Sequence, residues 1–529
     1  MKKKILYTIL FCSLLTNAQN SNSVLASGHW YKFSIDTTGV YKIDAAFLRE
    51  LGLNTSTLNP RMIRIYGNGG QLLPELVSAS RINDLQENSI FVEGEEDGVF
   101  NNSDYILFYA KGPHSWKIDP ASNSVNHVQN IYSDQAYYFL TVDQGLGKRI
   151  ATKNAVVGPA TNTVSAFDDY YFYEKEEVNI LAVGQQWFGE RFNVINNRSF
   201  SFPFPNALPN SRLRIKTAAV GQSTISSSMS IQANGSALNS ILFPPVSTSS
   251  NALLVASGES TGSINAANTV TITLNFNNNG NPSAKAFLDY IEIFGKKQLL
   301  ATDKQFSFRS FLAATSAGVS SFVIQNGASA FDIWDVTNPA AIERIDNLTT
   351  VSTNFTFNDY NGTLKEYVVL HSTDFYTPKI VSRSKIANQN IHALTNIEYL
   401  VITDDTLISE ARRLANYHQN NSNLNTAVVL LSEIYNEYAS GSKDIVAIRD
   451  FIKNLHDTAS PSKTLKYVCF FGDSSYDFKD RIRGNNNIVP SYHAFQSFNL
   501  TSSFVTDDFF VMIDPTDGNM RDQDNIDIP

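Results

Sequence analysis

Ile397-Glu398-Tyr399-Leu400-Val401-Ile402-Thr403-Asp404-Asp405-Thr406 is where the period of this sequence changes. The apolar run Ile397 to Ile402 predicts a buried strand, and Asp404-Asp405-Thr406 suits a helix cap. Leu407, Ala411, Leu414 and Ala415 then share one helical face. Thr426 to Leu431 predicts a second strand. Asp444 to Leu455 predicts a second long helix, with Ile445, Ile448, Phe451, Ile452 and Leu455 on its apolar side. Leu465 to Phe471 predicts a third strand, closed by Gly472-Asp473. Strand, helix, strand, helix, strand implies parallel strands joined by right-handed crossovers. Ligands bind such sheets at the carboxyl ends of the strands, where Asp404 and Asp473 fall.

Upstream, the period is two. Tyr31, Phe33 and Ile35 alternate with polar residues, Asp36 to Gly39 makes a turn, and Val40 to Ile43 resumes, which reads as a hairpin. Met62 to Tyr66 is another strand. Its glycines, Gly67, Gly69 and Gly70, read as a tight turn, because no helix pattern follows for a phosphate loop. Glu93, Glu95, Asp97, Gly98 and Asp104 loosely match a calcium loop. Their strand-like flanks favour a solvated acidic hairpin loop. Leu213 to Lys216, Met229 to Gln232 and Val270 to Phe276 alternate cleanly, whereas Asp289 breaks the buried parity of Phe287, Ile291 and Ile293. Ser-, Asn- and Gly-rich turns between such strands predict a β-sandwich. Phe322 to Ile324 and Tyr367 to Leu370 read as further strands. The expected division is a β-rich domain over 19–189, a β-sandwich over 190–300, a β-rich connecting domain over 301–394 and an α/β domain over 395–529.

The 529 residues carry 41 Lys and Arg against 50 Asp and Glu, a net charge of -9. That acidity excludes a general nucleic-acid binder, which needs a basic footprint. With 35 Phe and 23 Tyr, the chain is not a disordered one. Its two cysteines exclude a disulfide scaffold and a cysteine-based zinc module. Lys2 to Lys4, the apolar run Ile5 to Leu15 and Thr16-Asn17-Ala18 are ordered as a secretory signal peptide over 1–18, with cleavage expected after Ala18. The run is too short to span a bilayer, and no later stretch reads as a transmembrane helix. Cys469 then remains, mid-strand between Val468 and Phe470. It reads as a core cysteine whose thiol burial would raise. His493 is the nearest candidate base and reads as a loop residue. His418 and His456 fall near predicted helix ends.

The segment Tyr467 to Asp477, followed by Val489-Pro490-Ser491-Tyr492 and Thr506-Asp507-Asp508-Phe509-Phe510, resembles the gingipain-like cysteine peptidases. Ile333 to Pro339, the Glu93 to Tyr109 stretch and Gly112 to Trp116 resemble that family's sortases of the type IX secretion system. The resemblance implies a caspase-like α/β peptidase domain with a parallel sheet, incomplete in this chain, behind β-rich N-terminal domains of β-sandwich type. It also implies export to the outer membrane or cell surface, or secretion. The implied activity is cleavage of C-terminal sorting domains from secreted cargo, alongside other outer-membrane components of the secretion system. Asp473 and Asp477 would sit at the cleft edge, where a carboxylate can orient a histidine, line a pocket or bind a cation, or else cap a turn. Asp507 and Asp508 would also lie at the cleft edge, where they would either hold calcium or end strand pairing. The family's nucleophilic cysteine and histidine are expected beyond Pro529, after Ile526-Asp527-Ile528, which reads as the next strand. On that expectation these residues alone do not hydrolyse peptides. The alternative is a non-enzymatic surface protein with partner- or glycan-binding β-domains and a remnant peptidase domain.

Overall fold

Tyr399–Thr403, Thr426–Leu430 and Tyr467–Phe471 form a parallel sheet with the 399–403 strand in the middle. The computed structural model describes residues 22–156, 158–249, 251–348, 352–518 and 520. The signal peptide with its Ala18 cleavage site, and the strand expected over 526–529, lie outside the described residues. Successive side chains of a strand point to opposite faces. Val401 therefore meets Ala411 and Ala415 of helix Ile408–Ser422, while Leu400 and Ile402 meet the apolar side of helix Ile445–Thr458. All five apolar positions expected on the second helix are buried. Asp444 caps it, accepting from the Val446 N–H at 2.8 Å.

Two details of this region differ from the sequence-based expectation. Asp404 accepts from the Thr406 N–H at 2.8 Å and makes a local turn, which delays the first helix so that Leu407 takes the cap position. A short helix, Leu431–Tyr438, follows the second strand without a break. Glu433 supports its start by accepting from the Leu430 N–H at 2.9 Å.

The β-rich part holds the expected sandwich. One sheet joins Ala166–Glu174, Lys285–Gln298, Arg212–Gln222 and Ala256–Asn265. The other joins Asn197–Pro203, Thr269–Asn277, Ser227–Ala233 and Ser236–Ala237. Ile215, Ile231, Ile272, Leu274, Ile291 and Ile293 fill the space between them. Ala218 pairs with Tyr290 but Ala219 pairs with Leu288, so Asp289 is the extra residue of a β-bulge. That bulge is the physical reason its parity breaks.

The hairpin expected over 31–43 does not form. Trp30–Ile35 pairs with Ala136–Thr141 and Lys379–Ile386, while Gly39–Asp44 pairs with Tyr105–Ala110. The Asp36 to Thr38 turn carries the chain from one sheet to another, because each strand finds a long partner far along the chain. Phe33, Tyr41, Ile43, Phe108 and Tyr138 close the core between those sheets. Residues 301–394 share sheets with the first stretch: Ala151–Thr152 pairs with Glu343–Arg344, and Asn162–Val164 with Val319–Ile324.

Candidate functional site

The carboxyl ends of the parallel strands are tied together where Thr403 Oγ1 donates to the Phe471 carbonyl at 2.8 Å. Beyond Phe471 the chain makes a polar loop that Asp473 closes. Its carbonyl accepts from the N–H groups of Ile488 (2.9 Å) and Val489 (3.0 Å), and its exposed carboxylate from Asn486 Nδ2 (3.0 Å). Asp477 lies inside this loop at 0 % exposure, with Oδ2 accepting from the Ile482 N–H at 2.6 Å. Its carbonyl accepts from Asn485 Nδ2 at 2.7 Å. Asp477 thus folds the loop, and Asp473 sits at its rim.

The loop is fastened to the β-rich part by charge. Lys479 Nζ lies 2.7 Å from Asp134 Oδ1 and 2.8 Å from Glu176 Oε2, and Arg481 pairs with the same Glu176 oxygen. Tyr476 stacks on Trp187 at 5.5 Å. These partners are 303 residues apart for Glu176 and Lys479, so no local pattern in the sequence marks them.

Asp507 and Asp508 are exposed, at the start of the turn Asp508–Val511. The following Phe509 and Phe510 are fully buried. Phe509 stacks on Tyr492 at 4.8 Å and lies under the Arg449 guanidinium at 4.1 Å. Among the described residues, no hydrogen bond or ion pair joins Asp473 or Asp477 to Asp507 or Asp508.

A cavity of about 220 Å³ opens at this end of the sheet, with Asp404, Tyr435, Lys443 and Pro490 in its lining. Through Tyr132 and Asp444 it adjoins a larger one of about 920 Å³ between the α/β region and the sandwich. Burial pushes the Asp444 carboxyl up to about 7, although it accepts from the N–H groups of Leu73 and Val446.

Cys469 is only half-buried, because its strand is an outer one. It packs in the cluster of Val401, Ala411 and Ala415. The Tyr399 phenol beside it is pushed up to about 12, by burial first and the thiol second. His493 corrects the loop expectation. It lies in the short strand Tyr492–His493 at 3 % exposure, its Nδ1 accepts from the Gly184 N–H at 3.2 Å, and burial pushes it down to about 4. Its carbonyl accepts from Gln185 Nε2 at 2.7 Å. It is a neutral joint between the α/β region and the 184–188 segment. His418 stacks on Tyr399 at 4.4 Å, and His456 lies in the last turn of its helix.

The acidic loop at 93–104 links the antiparallel strands Ile90–Glu93 and Tyr105–Ala110, with Gly94 and Gly98 both left-handed (φ +84° and +79°). Glu95 pairs with Arg149 at 2.8 Å. Asp97 accepts from the Val99 N–H at 2.9 Å, and Asp104 from the Asn101 N–H at 2.7 Å. Among the described residues, no group of three or more His, Cys, Asp or Glu is placed to hold a metal. Nor is any helix among them long and apolar enough to cross a membrane.

Residues 392–528 match peptidase family C25. The gingipain-type resemblance holds for that region. The fold is also similar, across 96% of this chain, to the crystal structure of dimeric latent PorU from Porphyromonas gingivalis, with a TM-score of 0.80 at 23% identity. The match covers 48% of that protein, so this chain spans about half its length. The carbohydrate-binding module CBM36, solved in complex with calcium and xylotriose, covers 23% of this chain and 98% of its own at 15% identity and a TM-score of 0.15. CsCBM6-3 from Clostridium stercorarium, in complex with cellobiose, covers 26% and 98% at 14% identity and a TM-score of 0.14. Likeness that low says nothing about ligands. No curated protein matches the chain.

Proposed function

We propose that this chain supplies the β-rich domains and first α/β layer of a PorU-like cysteine peptidase that removes C-terminal sorting domains from type IX secretion cargo at the outer membrane. The observation that carries the reading is a C25 match inside a chain whose fold is similar to latent PorU over 96% of its length. In this reading the protein is exported by its signal peptide and works beside other outer-membrane components of the secretion system. Its substrates are secreted polypeptides.

The chemistry is thiol acyl transfer. A thiolate attacks the peptide carbonyl, an imidazole carries the proton to the leaving amine, and backbone N–H groups hold the oxyanion. The proposal puts the nucleophile and imidazole beyond Pro529. In support, Cys469 packs against helix residues Ala411 and Ala415, and His493 is buried, neutral and engaged with Gly184. Asp473 and Asp477 then shape the rim of the cleft through the loop they hold. Asp507 and Asp508 take the exposed side of the neighbouring turn.

The test is genetic and chemical. In a strain lacking this gene, secreted cargo should keep its C-terminal domain, seen as a higher intact mass, and the intact gene should restore processing. Normal cargo processing in that strain overturns the proposal and turns attention to the non-enzymatic reading.

A further inference from the structure

The large cavity between the α/β region and the sandwich has an unbalanced charge. Glu174 and Glu292 hold His127 from both sides, at 2.6 Å each. Burial opposes the charged imidazole, but the two carboxylates outweigh it and raise His127 to about 9. The whole lining sets His127 and the exposed Lys117 against six carboxyl side chains. Glu176 is occupied by Lys479 and Arg481, and Lys216 by Glu259 at 3.2 Å.

Asp289 is added to this set by the β-bulge. Its half-buried side chain lines the cavity, and it has neither hydrogen bond nor ion pair among the described residues. Bulges re-aim single side chains in this way next to binding sites. Burial first and Glu174 second push its carboxyl up to about 7, against the opposing pull of His127 and Lys216. An unpaired half-buried carboxylate is costly, and a cation entering the cavity removes the cost. Metal chemistry does not fit, because the nearby carboxylates are already paired and no metal-holding group is formed among the described residues. The walls suit an organic cation. The rings of Tyr290 and Trp187 are already engaged, by Lys216 and His127 and by Tyr476 and Arg481, so what the walls offer an alkyl stem is the apolar surface of Leu72 and Ile131.

We infer that this cavity binds a primary alkylammonium group, with Asp289 as its counter-charge. The group comes either from a free aliphatic diamine or from a lysine side chain of a bound polypeptide. The inference is independent of the peptidase reading, since its readout is binding.

The test is calorimetric titration of the protein with cadaverine and, separately, with a blocked pentapeptide carrying one central lysine. At least one probe should bind, and Asp289→Asn should weaken it by about tenfold or more. Which probe binds distinguishes the two sources. The neutral controls, pentanol and the same peptide with acetylated lysine, should not bind the wild-type protein, and this arm needs no variant. Failure of both cationic probes, equal binding by the neutral controls, or unchanged binding to a folded Asp289→Asn protein overturns the inference.

Discussion

Glu176 is the residue on which the loop after the third parallel strand depends most. Its side chain is 5 % exposed and that of Lys479 is 2 % exposed, so the pair is desolvated. Replacing Glu176 by Gln keeps the shape and removes the charge. Lys479 keeps Asp134 at 2.7 Å, but that carboxylate is largely exposed and better screened. Arg481 is left with Asp477, 3.9 Å away. Breaking one side of a buried pair costs about 3–5 kcal/mol. With the surviving Asp134 contact, about 2–3 kcal/mol of loop docking should be lost. At about 1.4 kcal/mol per tenfold, the undocked population rises by about 30- to 150-fold. Arg481 and Arg483 in the loop are trypsin sites. When opening is fast relative to cleavage, the cleavage rate follows that population. Limited trypsinolysis read by mass spectrometry should therefore show cutting at these two arginines accelerated by well over tenfold in Glu176→Gln. Rates within about twofold of wild type would refute the claim that this ion cluster docks the loop.

Three further outcomes follow from the same structure. Asp477→Ala removes the fully buried acceptor of the Ile482 N–H, and should cost about 1–3 kcal/mol by denaturant titration while leaving the β-rich core intact. Asp289 has a carboxyl raised from 3.8 in the unfolded chain to about 7 in the fold, so the folded state binds its proton more tightly. Its contribution is lost as pH rises from about 4 through about 7, and Asp289→Asn should be more stable than wild type by about 1–3 kcal/mol at alkaline pH and level with it in acid, measured as melting against pH. Trp334 is fully buried beside Val368 and Leu370, and its indole N–H donates to Asp332 at 2.9 Å. Trp334→Ala should therefore cost about 3–5 kcal/mol and lower Tm.

The α/β region was legible because its helices carry their apolar side at spacings of three and four, and a buried face admits little else. The helix at 431–438 was not, because its cap position falls on Leu430, inside an apolar run that reads as strand. The sandwich strands were legible from alternation, and the irregularity at Asp289 was a true signal of the bulge. The false hairpin at 31–43 shows the limit of a local rule. A turn sequence fixes a corner, whereas strand partners are chosen by long-range packing of Phe33, Tyr41 and Phe108. At the candidate site, Asp473 and Asp477 were found as residues, but their roles in one closed loop depend on Ile482, Asn485 and Ile488. The burial of His493 depends on Gly184 and Gln185, more than 300 residues earlier, and leaves no trace near the histidine itself.

The most direct test of the central claim uses the native protein, a secreted cargo with its C-terminal domain, and iodoacetamide. The claim is that this fold serves a thiol endopeptidase whose nucleophile is not Cys469. Cargo cleavage, followed by intact mass, should proceed in wild type and equally in Cys469→Ser, and alkylation should abolish it in both. Cleavage that survives alkylation, or that is lost in a folded Cys469→Ser protein, would contradict the claim.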